Sequence, residues 1–144
     1  MSDSDLLPNL RMCFHKHYAK LEISKKYALV ATTSDNPLHF NLCKSTQDIL
    51  SIAHFELSSV PGCTSAVIFS GAYVGLSLRR AGLGKTLHKL RLDACREAGY
   101  TLALCTVNKD NAPQNKIMDR FGWICGREFD TSPTSKARLW YKIL

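Results

Sequence analysis

The segment with the clearest chemical potential is Leu78-Arg79-Arg80-Ala81-Gly82-Leu83-Gly84-Lys85-Thr86, which lies between a β-rich run and an amphipathic helix. Gly82 and Gly84 let the backbone approach a ligand with no Cβ in the way. The helix that follows begins with N–H groups that have no intrahelical partner, and its dipole adds partial positive charge there. No Asp or Glu lies between Thr64 and Arg91 to neutralise that end, while Arg79, Arg80 and Lys85 add formal charge. The chemistry this allows is anion binding, most naturally of phosphate. Two other readings compete. One is an ordinary glycine-containing loop. The other is a nucleotide-binding P-loop, because Gly84-Lys85-Thr86 matches that motif's last three positions; the motif, however, needs glycine where Arg79 stands, and no strand ends in an acid suited to magnesium.

The elements around this segment follow from periodicity. Leu83, Leu87, Leu90, Ala94 and Ala98 form one apolar stripe, with Lys85, Lys89, Asp93 and Arg96 off it and Gly99 as a left-handed stop. Residues 101–107 read as a strand. Asn111-Ala112-Pro113 opens a second helix with proline in its first turn, and Ile117, Met118 and Phe121 form its buried face. Upstream, residues 4–20 have helical spacing, 26–33, 38–43 and 64–76 read as strands, 49–57 reads as a strand or a short helix-to-strand passage, and Ser34-Asp35-Asn36-Pro37 and Pro61-Gly62 read as turns. Downstream, 123–129 and 137–143 are strands joined by a polar loop at 131–135. The order predicts an α/β mixed sheet with helices packed on it, in a single domain over 1–144.

Composition sets the class. A chain of 144 residues, 45% hydrophobic and 22% charged, has the make-up of one globular domain. No run of 18 apolar residues suits a membrane span. The N-terminus carries Asp3 and Asp5 where a targeting signal would carry bases, so an intracellular, cytoplasmic protein is expected. Six cysteines without C-x-x-C spacing read as buried free thiols, and His15-x-His17 reads as surface, so no metal is expected. The net charge of +7 is uneven: residues 1–60 hold six Lys/Arg and six Asp/Glu, and 61–144 hold thirteen and six. The C-terminal half therefore has either a polyanionic partner or a solvated basic face.

Arg79-x-x-Gly82-x-Gly84 resembles the R/Q-x-x-G-x-G/A pyrophosphate loop of the GCN5-related N-acetyltransferases (GNAT). Asn111-x-x-Gln114-x-x-Ile117-Met118-x-Arg120-x-Gly122-Trp123 is similar to that family's N-x-x-A-x-x-L-Y-x-K-x-G-F. The resemblance covers roughly residues 64–144; residues 1–60 would form the acceptor side. It implies a mostly antiparallel sheet with a splayed strand pair that binds acetyl-CoA as cosubstrate. By this resemblance the backbone of Tyr73, Val74 and Leu76 pairs with the pantetheine arm. The N–H groups of Arg79, Arg80, Ala81, Gly82, Leu83, Gly84, Lys85 and Thr86 hold the pyrophosphate, and Asn111 bonds the cofactor. The implied reaction is direct attack of a primary amine on the thioester in a ternary complex.

That reaction needs a base for the amine, a donor for the oxyanion and, in many members, a Tyr that protonates the thiolate. The Tyr position is Met118 here, which cannot donate; Tyr141, Tyr73 and Cys105 are the substitutes on offer. Glu56 is a candidate base, with His54 beside it, and Asn108 a candidate for positioning the acceptor or a water. Two alternatives stay open: a non-catalytic CoA-binding regulatory module, and a nucleic-acid binder or an acyltransferase acting on tRNA or a modified base, for which only the charge speaks. The acceptor, a small molecule or a protein or peptide amine, is not readable, and homodimerisation is left open.

Overall fold

A computed structural model describes residues 6–34, 36–48, 50–75, 78 and 82–144. Its elements run α1 (Leu10–Ala19), β1 (Ala28–Ala31), β2 (Leu38–Cys43), β3 (Ser51–Val60), β4 (Cys63–Val74), α2 (Leu83–Ala98), β5 (Leu102–Asn108), α3 (Ala112–Arg120), β6 (Ile124–Ser132) and β7 (Ser135–Ile143). The strands form one seven-stranded sheet in the order β1-β2-β3-β4-β5-β7-β6. All neighbours are antiparallel except β4 and β5. The α/β mixed-sheet expectation holds. Among the described residues no helix is long and apolar enough to cross a membrane.

The pleat explains the core. In β3 the buried residues Ala53, Phe55, Leu57 and Ser59 alternate with half-buried His54, Glu56 and Ser58, so one face meets the core. Phe55 meets Phe14 of α1 at 5.6 Å and Phe40 of β2 at 5.4 Å, between ring centroids. The apolar stripe of α2 is buried as expected, and His88, Arg91, Leu92 and Cys95 are buried with it. Gly99 ends the helix at φ 113° and Gly82 precedes it at φ 75°, left-handed positions that favour glycine.

Three local expectations are corrected. The first helix starts at Leu10 rather than residue 4: residues 8 and 9 form a turn, because Pro8 disfavours helical geometry at Leu7. A short 3-10 turn at Glu22–Lys25 was not anticipated. The loop expected at 131–135 shrinks to Pro133-Thr134, where the Ser132 hydroxyl accepts from the Thr134 N–H at 3.3 Å. The cysteines are all free, as expected, but Cys63 and Cys125 are exposed while the other four are buried. His17 and Lys16 pair with Glu97 at 3.1 and 2.7 Å, which ties α1 to α2 at the surface.

Candidate functional site

The site begins where two strands part. β4 and β5 pair in parallel only from Ala66↔Leu102 to Phe69↔Cys105, although β4 runs on to Val74 and β5 to Asn108. Beyond Phe69 the two diverge. On its other edge β4 carries a bulge: His54 faces Tyr73, yet Glu56 faces Ser70, so β4 holds one extra residue. Gly71 sits in that bulge at φ +61°, and a Cβ there would come within 3.2 Å of the Glu56 carboxyl carbon. The backbone conformation thus favours glycine, and a Cβ there would make the Glu56 side chain shift by a few tenths of an ångström.

The divergence opens a cavity of about 480 Å³, walled by β3, the end of β4, the start of α2 and the start of α3. His54, Tyr73, Val74, Gly84, Arg91 and Asn111 are in its lining. At Gly84 an added Cβ would make ordinary contacts, 3.6 Å from Ile117 and 3.9 Å from Val74, so the backbone there lies close to both walls. The first turn of α2 holds no acid, so its N–H groups and dipole face the opening without a neutralising carboxylate.

Two titratable clusters border the cavity. In the first, on β2, β3 and β4, the His39 Nδ1 lies 3.4 Å from the Glu56 carboxylate. The His39 ring lies 5.2 Å from that of His54, which stacks at 5.4 Å on Tyr73. In the second, Arg91 is 3% exposed and lies against Phe55 and Phe69. Nearby, the Trp123 Nε1 donates to the Nε2 of buried His88 at 2.9 Å. Burial first, then the charges of Arg91 and Lys142, push the His88 pKa down to about 3. Burial raises the Cys105 thiol, with Arg91 opposing, so Cys105 stays protonated and is no nucleophile.

Solved structures share this architecture. A GNAT-family acetyltransferase from Elizabethkingia anophelis with acetyl-CoA bound matches over 83% of this chain and 99% of its own, at TM-score 0.62 and 10% identity. A GCN5-related N-acetyltransferase from Brucella melitensis matches over 96% and 73%, at TM-score 0.64 and 13% identity. Ard1 from Thermoplasma volcanium matches over 76% and 71%, at TM-score 0.63 and 18% identity. The chain has the GNAT fold. No family sequence model matches it, and no curated protein matches it in sequence.

Within the GNAT fold the expected cofactor residues are placed unevenly. Tyr73, Val74, Gly84 and Asn111 line the cavity, and Gly82 caps the helix at its mouth. Leu83 packs its side chain into the core, and Lys85 is exposed. The Thr86 hydroxyl is turned back to the Gly82 carbonyl at 3.2 Å, and its side faces a shallow groove against α1 instead. Leu76, Arg79, Arg80 and Ala81 lie outside the described residues. Asn111 caps α3 by accepting from the Gln114 N–H at 3.3 Å, and no described hydrogen bond takes its amide nitrogen.

The three catalytic candidates are not gathered. Asn108 is a turn residue: its side-chain oxygen accepts from the Asp110 N–H at 2.9 Å. Tyr141 sits on β7 between Leu104 and Ile124, away from the splay. Glu56 contacts His39 and the bulge, while its neighbour His54 lines the cavity. Met118 is wholly buried, a core residue as its helical position implies. Sequence reasoning missed Arg91, although a signal existed. Four residues after Leu87, it lies about 40° around the helix from it, on the edge of the apolar stripe.

Proposed function

We propose that this chain binds acetyl-CoA, or a close acyl-CoA, and transfers the acyl group to a primary amine. The observation that carries the reading is the parting of β4 from β5 beside an acid-free helix start. It places the extended end of β4, the backbone at Gly84 and an acid-free helix start, suited to an anion, around one cavity. The residues fit the group: the N–H groups at Gly82–Lys85 would hold the pyrophosphate, whereas that of Thr86 already donates to the Gly82 carbonyl at 3.1 Å; the backbone of Tyr73 and Val74 would pair with the pantetheine arm, and the Asn111 amide would donate to it. When bound, the thioester supplies an acyl carbon activated toward attack.

The chain's own task is to deliver a neutral amine and manage its proton. His54 supplies an imidazole to the cavity wall, and an imidazole there accepts the ammonium proton directly or through one water. Its Nδ1 is enclosed and unpartnered, so the other nitrogen, Nε2, is the one to accept. His39 and Glu56 stand behind it as a pair that fixes the imidazole's surroundings. Met118 offers no proton to the leaving thiolate; a thiol of pKa about 8.5 departs as thiolate without one.

The test is release of free thiol from acetyl-CoA in the presence of a panel of primary amines. Amine-dependent release is expected, with a fall of about 10²-fold or more in His54→Ala at unchanged acetyl-CoA affinity. Binding without release for any amine would favour the second reading, a CoA-binding module, which the fully buried Met118 already supports.

A further inference from the structure

Among the described residues Arg91 is the buried cation of the cavity wall, and its environment is unusual. The guanidinium carbon lies 5.2 Å from the centroid of Phe55 and 4.7 Å from that of Phe69, so aromatic rings occupy its surroundings. Its Nε and Nη1 are shut off from solvent without a hydrogen-bond partner, and no carboxylate pairs with it among the described residues. The groups able to become anions beside it are Cys95 and Cys105. Burial holds both thiols above their ordinary range despite the nearby charge, so neither neutralises it. His88, its other titratable neighbour, is neutral. A buried guanidinium with no counter-charge is costly, and apolar residues of similar size often replace such groups with a gain in stability.

The geometry points to Arg91 as the seat of a carboxylate carried by a substrate, on the acyl group of the thioester donor or on the amine acceptor. The inference rests on the acyl-CoA reading for the identity of the donor, but not for the seat itself. A carboxylate suits the site better than a phosphate. With Nε and Nη1 enclosed beside the rings, Nη2 is the nitrogen left to meet the cavity, and a small planar carboxylate accepts its N–H there with less bulk than a tetrahedral phosphate. Arg91 also stands nine residues past Gly82, roughly 13 Å along α2, well away from the helix start proposed for pyrophosphate. It lies instead beside Phe69, the last residue of β4 to pair with β5.

The experiment uses the full chain as wild type, Arg91→Met and Arg91→Lys. Melting establishes folding first, with Arg91→Met expected at or above the wild-type midpoint; if it does not fold, Arg91→Lys, which keeps the charge but loses the fork, carries the test. Each protein is titrated with acetyl-CoA and succinyl-CoA. CoA-saturated and free protein are then melted with amino acids and with the matching amino-acid amides. If the carboxylate comes with the donor, succinyl-CoA binds wild type at least tenfold tighter than acetyl-CoA, and the preference falls below twofold in the variants. If it comes with the acceptor, the two thioesters bind alike. Amino acids then raise the wild-type midpoint, their amides do not, and the variants lose the effect. Equal behaviour of wild type and variants toward every carboxylate overturns the assignment. Failure of acetyl-CoA to bind, with an Arg91-dependent response to free carboxylates intact, overturns the acyl-CoA reading and leaves the carboxylate seat standing.

Discussion

Replacing His88 by glutamine should flatten the acid limb of the protein's stability. His88 is 1% exposed, and its Nε2 accepts the Trp123 N–H at 2.9 Å. Protonating it would set two donors against each other and bury a charge near Arg91 and Lys142, which is why its pKa falls from 6.5 to about 3. The native state therefore keeps the ring neutral while the unfolded chain takes up a proton below pH 6.5. The contribution is complete above pH 6.5 and is lost as pH falls from there toward 3. At about 1.36 kcal/mol per pH unit, lowering the pH from 7.5 to 4.5 costs about 2.7 kcal/mol from this group alone. For a chain of this length that corresponds to roughly 10 °C in melting temperature. Glutamine keeps an acceptor for Trp123 and cannot titrate. Calorimetric melts of both proteins at pH 7.5, 6.5, 5.5 and 4.5 should show curves that converge toward low pH or cross there. Parallel loss of stability in both proteins would refute the reasoning, because the acid sensitivity would then lie elsewhere.

Other outcomes follow from the same packing. At Gly82 an added Cβ meets nothing within 4 Å, but φ is +75°, so Gly82→Asp and Gly82→Asn should each lose about 1 kcal/mol of stability. Only the Asp variant should lose acetyl-CoA affinity, by at least tenfold in titration calorimetry. Asn115 donates to the carbonyls of Asn108, Lys109 and Asn111 and accepts from Trp140 Nε1 at 3.1 Å, so Asn115→Ala should cost about 3 kcal/mol in denaturant unfolding. Met118→Tyr, which restores the family's hydroxyl at a wholly buried position, should lower the melting temperature by overpacking, about 1–3 kcal/mol, without raising the rate of thiol release.

What the sequence made legible was local. The helix from Leu83 to Ala98, its left-handed stop at Gly99 and the proline-led start of α3 each depend on a few neighbouring residues, and each is found where periodicity and capping predict. The first helix starts later than its apolar spacing predicts because Pro8 breaks the pattern. The catalytic candidates failed to gather for a different reason. β7 lies between β5 and β6, so Tyr141 falls opposite Leu104, a neighbour that chain order does not reveal. Asn108 is equally readable as a turn residue, and its side chain does form an Asx turn with Asp110. Arg91 could be placed on the buried side of α2 from its spacing. That Phe55 and Phe69 would enclose it, with no acid in reach, is a property of the assembled sheet.

The proposal that the cavity between the parted strands and the start of α2 holds an acyl-CoA stands or falls on titration calorimetry of the folded chain with acetyl-CoA, with ATP as the control. Micromolar binding of acetyl-CoA at one site and none of ATP is expected. No heat from acetyl-CoA in a sample that melts cooperatively would contradict it, and the glycine-lined slot would then be a structural loop.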